Sequence, residues 1–518
     1  MKHNNRTSVV IILLISIFLS AITAILYAFV QGGDFYKGWF AAFVLCIPAF
    51  ILLQIVWNWG GRSRMLAGMM LAAWILRLGF GMTAQKLLPI YGYREEPQQK
   101  QGYLFDDAYR RDEEAWRIVQ DEDPTFFEPL TRKFNNDQYG GMEILGIWIY
   151  QYLSPDERRF SLIILLGAFL TAAGVPFLWK AIKNRWDLPM ANIAAWIFVL
   201  YPDSIVYAGS PMREPFLTGI LAIAFWALCT LHDHWKKSGI VLLLCFFAIL
   251  PLSTFVAGAL AICTVLWIWI ESLVSRSKKW LWAGVIGIAL AGLVILVAAL
   301  PSIQEFIHYD IHTTEINSGW VEKVVGEIGG RFRTVFLAVY GITQPVLPAI
   351  LFYRPTTPFW KAVGIFRAVG WYAMVPFLFY AFFTTLRAKN SKERGLLIIN
   401  TLFLIGWIFV SSLRAGGDQW DNPRYRVIFL PWLAFFTAWG FRYAKQIKDG
   451  WLIRWILIEI IFVGFFSQWY FSRYYADIIH RFPFWKTVVY IVICSTVVFA
   501  SGLVQPILKK IRKNKEKR

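Results

Sequence analysis

Runs of about 20 apolar residues recur along the chain between charged or Gly/Pro-rich breaks, and a helix of that length spans the ~30 Å hydrocarbon core of a bilayer. The breaks predict about fourteen such helices, near residues 8–30, 38–57, 64–81, 159–179, 188–206, 214–232, 239–255, 257–273, 281–300, 361–386, 394–412, 426–444, 451–470 and 485–505. The first run is too long for a simple signal peptide and lacks its small-residue cleavage site, so it reads as a membrane anchor. Residues 334–353 are also apolar, but Pro345 and Pro348 interrupt them, which predicts a re-entrant or interfacial helix and not a crossing.

Alternate connections carry most of the basic residues: Arg62/Arg64, Lys180/Lys183/Arg185, Lys236/Lys237, Arg276/Lys278/Lys279, Arg387/Lys389/Lys392/Arg394, Lys445/Lys448 and the tail from Lys509 to Arg518. Lysine and arginine bias marks these connections as cytoplasmic, with both termini inside. The opposite face then receives loops 82–158, 201–215, 301–360, 413–425 and 470–484, of which the first is long and strongly charged. Loops longer than ~15 residues in a compact protein are usually functional.

Composition agrees with the pattern. Of 518 residues, 57% are apolar, 18% aromatic and 16% charged, which excludes an ordinary soluble protein. The net charge of +19 resolves into topology clusters and not into one basic aromatic patch, so nucleic acid is not an expected partner. The predicted fold class is all-α: a polytopic membrane protein with about 14 transmembrane helices and amphipathic helices in the first large outer loop. The five cysteines, Cys46, Cys229, Cys245, Cys263 and Cys494, lie in or beside apolar runs without CxxC spacing and read as buried small hydrophobes. Arg77 and Arg367, within or near spans, are expected to snorkel to the outer boundary.

Three constellations stand out on the outer side. The stretch Asp106-Asp107-Ala108-Tyr109-Arg110-Arg111 opens an amphipathic helix with Leu104, Ala108, Ala115 and Val119 on one stripe. Its two carboxylates either cap the helix or supply a base for an incoming hydroxyl. The connection from Tyr201-Pro202-Asp203 to Ser210-Pro211-Met212-Arg213-Glu214 ends in a charged pair at the rim of a span, as a structural interfacial ion pair or as part of a substrate cavity beside the first loop. Arg414, Arg424 and Arg426, with Tyr425 between the last two, run against the positive-inside trend; guanidinium groups there either pair with nearby acids or grip a phosphate. His308 and His312 are i,i+4 near Asp310 and Glu315, a possible metal face without a surrounding HExxH, and His232/His234 at i,i+2 do not share a helical face; both pairs read as solvated surface.

Taken in order, these motifs resemble the GT-C superfamily of integral-membrane glycosyltransferases, which includes protein O-mannosyltransferases and aminoarabinose transferases. The likeness rests on Asp106-Asp107-Ala108-Tyr109 with Ala115, on Tyr139-Gly140-Gly141, on Tyr201 to Glu214, and on Arg424-Tyr425-Arg426 before Pro431, over roughly residues 60–440. By the resemblance, residues 1–60 are two extra N-terminal spans, 61–444 a transmembrane core with outer loops 82–158 and 301–360, and 445–518 C-terminal spans with a basic cytoplasmic tail.

The resemblance implies inverting transfer of a sugar from a polyprenyl-phosphate donor to a lipid, glycan or protein acceptor at the extracytoplasmic face of the cell membrane. Asp107, or its neighbour Asp106, would be the base; Arg213, Glu214, Tyr109, Arg424, Tyr425 and Arg426 would bind substrates. A divalent metal, Mg²⁺ or Mn²⁺, on Asp107 and Glu214 is a further expectation of the resemblance. Two other readings compete. One is an O-antigen polymerase or ligase-like protein that uses Arg331 and Arg333; the other is a transporter of lipid-linked glycan.

Overall fold

The computed structural model describes residues 2–120, 128–131, 140–274, 332–353, 357–388, 391–414, 420–475 and 483–515, with isolated positions between 279 and 329. The predicted span 281–300 apart from Gly284 and Gly287, half of loop 301–360, Tyr139, His308, His312, Arg331 and Asp418 lie outside the described residues. Every regular element among the described residues is helical. Among the described residues, nine helices are long and apolar enough to cross a membrane: Val10–Gln31, Phe35–Trp59, Arg64–Tyr91, Ser161–Arg185, Thr254–Glu271, Pro358–Arg387, Glu393–Leu413, Trp451–Tyr474 and Phe484–Val504. By length and composition this is an all-helical protein of the multi-pass membrane type.

Several other predicted spans form shorter helices. The run expected over 188–206 breaks into Leu188–Leu200 and Pro202–Tyr207, because Tyr201, preceding a proline, takes an extended backbone (φ −61°, ψ 119°). The run expected over 214–232 ends at Cys229, and the one over 239–255 is Trp235–Ile249. Residues 334–353 form Arg333–Thr343 and Leu347–Phe352, interrupted at Gln344 to Val346 as the two prolines predict.

The chain divides into two compact units, Met1–Ile268 with Val427–Ala434, and Trp269–Arg426 with Phe435–Arg518. In the first, α1 (Lys2–Gln31) and α2 (Phe35–Trp59) form a hairpin whose turn ends at Asp34, which caps α2 by accepting from the Lys37 amide at 3.1 Å. Their residues share a core with those that follow: Tyr27 and Phe50 cluster with Ile147, Tyr150 and Phe169, and the Tyr27 hydroxyl lies 2.7 Å from Ser161 Oγ. Tyr27 and Phe50 thus belong to this unit's core. After α3 (Arg64–Tyr91) the chain forms α4 (Pro97–Lys100), α5 (Asp106–Gln120), α6 (Glu128–Thr131) and α7 (Gly141–Tyr152). Then come α8 (Ser161–Arg185), α9 (Leu188–Leu200), α10 (Pro202–Tyr207), α11 (Glu214–Cys229), α12 (Trp235–Ile249) and α13 (Thr254–Ile268).

The hub is α8, with 83% of its most apolar window buried. It meets α11 closely enough that a Cβ on Gly219 would sit 2.8 Å from the Leu170 carbonyl oxygen, the small-residue contact that lets membrane helices approach. Arg77 does not snorkel. It is fully buried and donates to the carbonyls of Ala73, Phe198 and Val199 at 3.1–3.2 Å and to Ser204 Oγ at 2.7 Å. Its guanidinium meets the carbonyls left unpaired where proline stops α9.

The second unit contains α14 (Arg333–Thr343), α15 (Leu347–Phe352), α16 (Pro358–Thr384), α17 (Ser391–Arg414), α18 (Asp421–Val427), α19 (Leu430–Ile447, from Phe435 onward), α20 (Trp451–Tyr474) and α21 (Phe484–Lys515). Its packing is strongly aromatic: Phe379 and Phe383, one turn apart on α16, both stack on Trp455 of α20 at 5.5 and 5.6 Å. Arg367 is also buried, with its guanidinium 4.1 Å from the Trp420 ring, and so does not snorkel either.

Candidate functional site

The acidic helix α5 is amphipathic, with Ala108, Ala115 and Ile118 buried. Its carboxylates divide by environment. Asp106 is exposed and pairs with Arg110 Nε at 2.9 Å, an i,i+4 contact between two solvated side chains. Asp107 is about one-third exposed at its side chain (31%), and its Oδ2 lies 3.6 Å from Nη2 of buried Arg111. Tyr109 is half-buried; its hydroxyl donates to Glu113 Oε1 and receives Gln101 Nε2, each at 3.1 Å.

The connection before α11 packs against this helix. Ser210 Oγ accepts the Leu104 amide at 2.9 Å, Phe105 stacks on Tyr207 at 5.3 Å, and Arg111 Nη2 lies 3.4 Å from Met212 Sδ. The two segments singled out in the first part of the chain therefore meet, through Arg111 and Met212 among others. Arg213 and Glu214 are both buried, with Arg213 Nε 3.7 Å from Glu214 Oε1 and Nη1 donating to the Leu252 carbonyl at 3.3 Å. The Arg213 contact ties the connection to the turn after α12.

Gly140 and Gly141 have packing roles. Gly140 adopts φ +75°, and a Cβ on Gly141 would fall 2.4 Å from the Pro251 carbonyl oxygen. The Gly141 amide donates to that same oxygen at 3.0 Å, so the start of α7 is sewn to the same turn that receives Arg213.

In the second unit, the arginines of α18 face different surroundings. Arg426 is buried, donates Nη2 to the Gln344 carbonyl at 2.8 Å and Nη1 to the Ile342 carbonyl at 3.3 Å, and lies 3.4 Å from the Trp371 ring. It closes the carboxyl end of α14, as Arg77 does for α9. Two of its five N–H donors serve these carbonyl groups. Arg424 is 9% exposed, with its guanidinium 6.0 Å from the Tyr425 ring, and the Tyr425 carbonyl accepts Trp407 Nε1 at 3.0 Å.

One cluster escaped the motif reading. Asp112, 3% exposed, accepts Tyr103 Oη and Tyr150 Oη at 2.5 Å each and Arg158 Nε at 2.7 Å. Burial, then the Asp112 carboxylate, pushes both phenols well above their ordinary value. Nothing in the residue types distinguished Asp112 from Asp106, Asp107, Glu113 and Glu114; the one available signal was its place beside the apolar stripe of α5.

Among the described residues no three or more His, Cys, Asp or Glu side chains converge as a metal site. Of the expected pair, Asp107 and Glu214, the second has its Oε1 3.7 Å from Arg213 Nε, and no chemical step is routed through a metal ion. No protein-family signature and no curated protein sequence matches the chain.

Proposed function

We propose that this protein is an integral-membrane glycosyltransferase that moves a sugar from a polyprenyl-phosphate donor to an acceptor hydroxyl at the extracytoplasmic surface, with inversion. The observation that carries this reading is the contrast within α5: Asp107 keeps solvent access at an edge where the connection 208–214 packs beside it, whereas Asp112 is sealed inside. A general base must reach the proton it removes, and the solvent access of Asp107 supports that role. The acceptor hydroxyl gives its proton to Asp107 as its oxygen attacks the anomeric carbon. The bond from that carbon to the phosphate oxygen breaks, and the electron pair leaves with the polyprenyl phosphate. Arg111, held by Asp107 and Met212, fixes the side chain of the base. Tyr109, on the same helix as the base, supplies an amphipathic contact of the kind a sugar or headgroup uses.

The test is transfer from a polyprenyl-phosphate hexose by the purified protein and by Asp106→Asn, Asp107→Asn and the double variant. Asp107→Asn is expected to lower kcat by about 10²–10⁴-fold, the usual contribution of a positioned base. Full activity in the double variant would remove the proposed base. Mass spectrometry of lipid bound to the purified protein provides a second check, with a polyprenyl-phosphate hexose expected.

A further inference from the structure

Asp112 gathers three segments onto one carboxylate. Tyr103 belongs to the lead-in to α5, Tyr150 to the last turn of α7, and Arg158 to the loop that enters α8. Arg158 is further held by donating Nη2 to the Tyr109 carbonyl at 3.3 Å, and its guanidinium lies 5.0 Å from both the Tyr103 and Tyr109 rings. Tyr103 in turn stacks on Phe160 at 3.9 Å. Both phenols remain protonated donors across the neutral range, because burial and the carboxylate oppose their ionisation. A carboxylate offers about four lone-pair sites, and this one is engaged by two O–H groups and one N–H, so little of its charge is left uncompensated.

The placement matters for Asp107. Five residues separate the two carboxylates, which at about 100° per residue puts them roughly 140° apart around α5. A helix clamped at Asp112 cannot turn about its own axis without breaking three hydrogen bonds, and Asp107 therefore points in one direction.

We propose that Asp112 is the positioning residue of α5: its buried carboxylate, gripped by Tyr103, Tyr150 and Arg158, sets the rotation of the helix that presents Asp107. The part concerning transfer rests on the reading of Asp107 as the base; the part concerning the helix does not. Misplacing a reacting group by about 1 Å is enough to cost on the order of 10²-fold in rate.

The experiment has two arms, both on the full chain in vesicles of phosphatidylethanolamine and phosphatidylglycerol. In the first, Ala108→Cys reports the docking of α5, since Ala108 is fully buried. A water-soluble maleimide is expected to leave it unreacted in the otherwise unaltered protein and to label it at least about tenfold faster once Asp112→Asn is added, because a freed helix exposes its apolar stripe. Tyr150→Phe, which keeps the Arg158 pair and so tolerates folding better, is expected to give an intermediate rate. Unchanged labelling in both backgrounds would overturn the proposal. In the second arm, without the cysteine, Asp112→Asn is expected to lower kcat for transfer from a polyprenyl-phosphate hexose by about 10²-fold with KM within about twofold, the sign of a lost transition-state arrangement. A raised KM with unchanged kcat would mean that Asp112 meets substrate directly and would overturn it as well. If the unaltered protein transfers no sugar, the base reading falls alone, and the labelling arm still decides what Asp112 does.

Discussion

The acidic helix α5 and the arginine-bearing helix α18 pose the same problem with opposite charges. Each presents a short run of like-charged residues next to an apolar span, and in each the chain sets one of them to work inside the protein. On α5 the inward residue is Asp112, satisfied by two phenols and a guanidinium; on α18 it is Arg426, satisfied by two carbonyls and the face of Trp371. The difference lies in what each solution leaves over. A buried carboxylate needs donors, which in α5 come from side chains of three segments, so Asp112 organises tertiary structure around the helix. A buried guanidinium needs acceptors, which the unpaired carbonyls at a helix end already supply, so Arg426 and Arg77 repair breaks in the backbone ladder. Charged residues in such a protein serve the interior first, and those with remaining solvent access, Asp107 above all, are the candidates for chemistry.

Four substitutions would break or sharpen that contrast. Removing the buried carboxylate with Asp112→Ala strands Arg158 and two phenols and should lower stability by about 3–5 kcal/mol, read as a lowered melting temperature in detergent. Arg426→Lys keeps the charge but loses the planar fork over Trp371 and one carbonyl contact; a loss of about 1–3 kcal/mol is expected, and no loss would show that α14 does not depend on this cap. Asp156 supplies the pH test. Arg159 holds it at 2.8 and 3.0 Å and, chiefly through those hydrogen bonds, depresses its carboxyl below the ordinary value. A depressed carboxylate stabilises the fold at neutral pH and loses that contribution as pH falls through its folded value. Asp156→Asn should therefore cost about 1 kcal/mol at neutral pH, and its melting curve should converge with that of the unaltered protein in acid. The smallest effect belongs to Asp107→Asn, whose part-exposed, 3.6 Å pairing is worth less than about 1 kcal/mol. Melting of Asp107→Asn as early as Asp112→Ala would erase the distinction between a working and a positioning carboxylate.

Much of the architecture was legible before any coordinates. Apolar runs of bilayer length and the stripe of Leu104, Ala108, Ala115 and Val119 reported helices because burial acts residue by residue along a periodic element. Pro345 and Pro348 announced the interruption between α14 and α15 for an equally local reason, a missing donor and a fixed φ. The candidate site was only half legible. Acidic, Pro-rich and arginine-rich segments were visible as exceptions in an apolar chain, but their roles were not. Arg77 and Arg367 looked like snorkelling cations because the carbonyls of Phe198 and Val199 and the ring of Trp420 are distant in sequence.

By itself, then, the chain determined that it forms apolar helices of membrane-crossing length, where prolines stop them, and which few charged segments stand outside them. Tertiary structure alone decided that Asp112 is sealed while Asp107, five residues earlier, is not, and that Arg426 faces carbonyl groups. The physical reason is that hydrophobic periodicity is written in neighbouring residues, whereas the satisfaction of a buried charge depends on donors and acceptors brought from 38, 46 and 82 positions away.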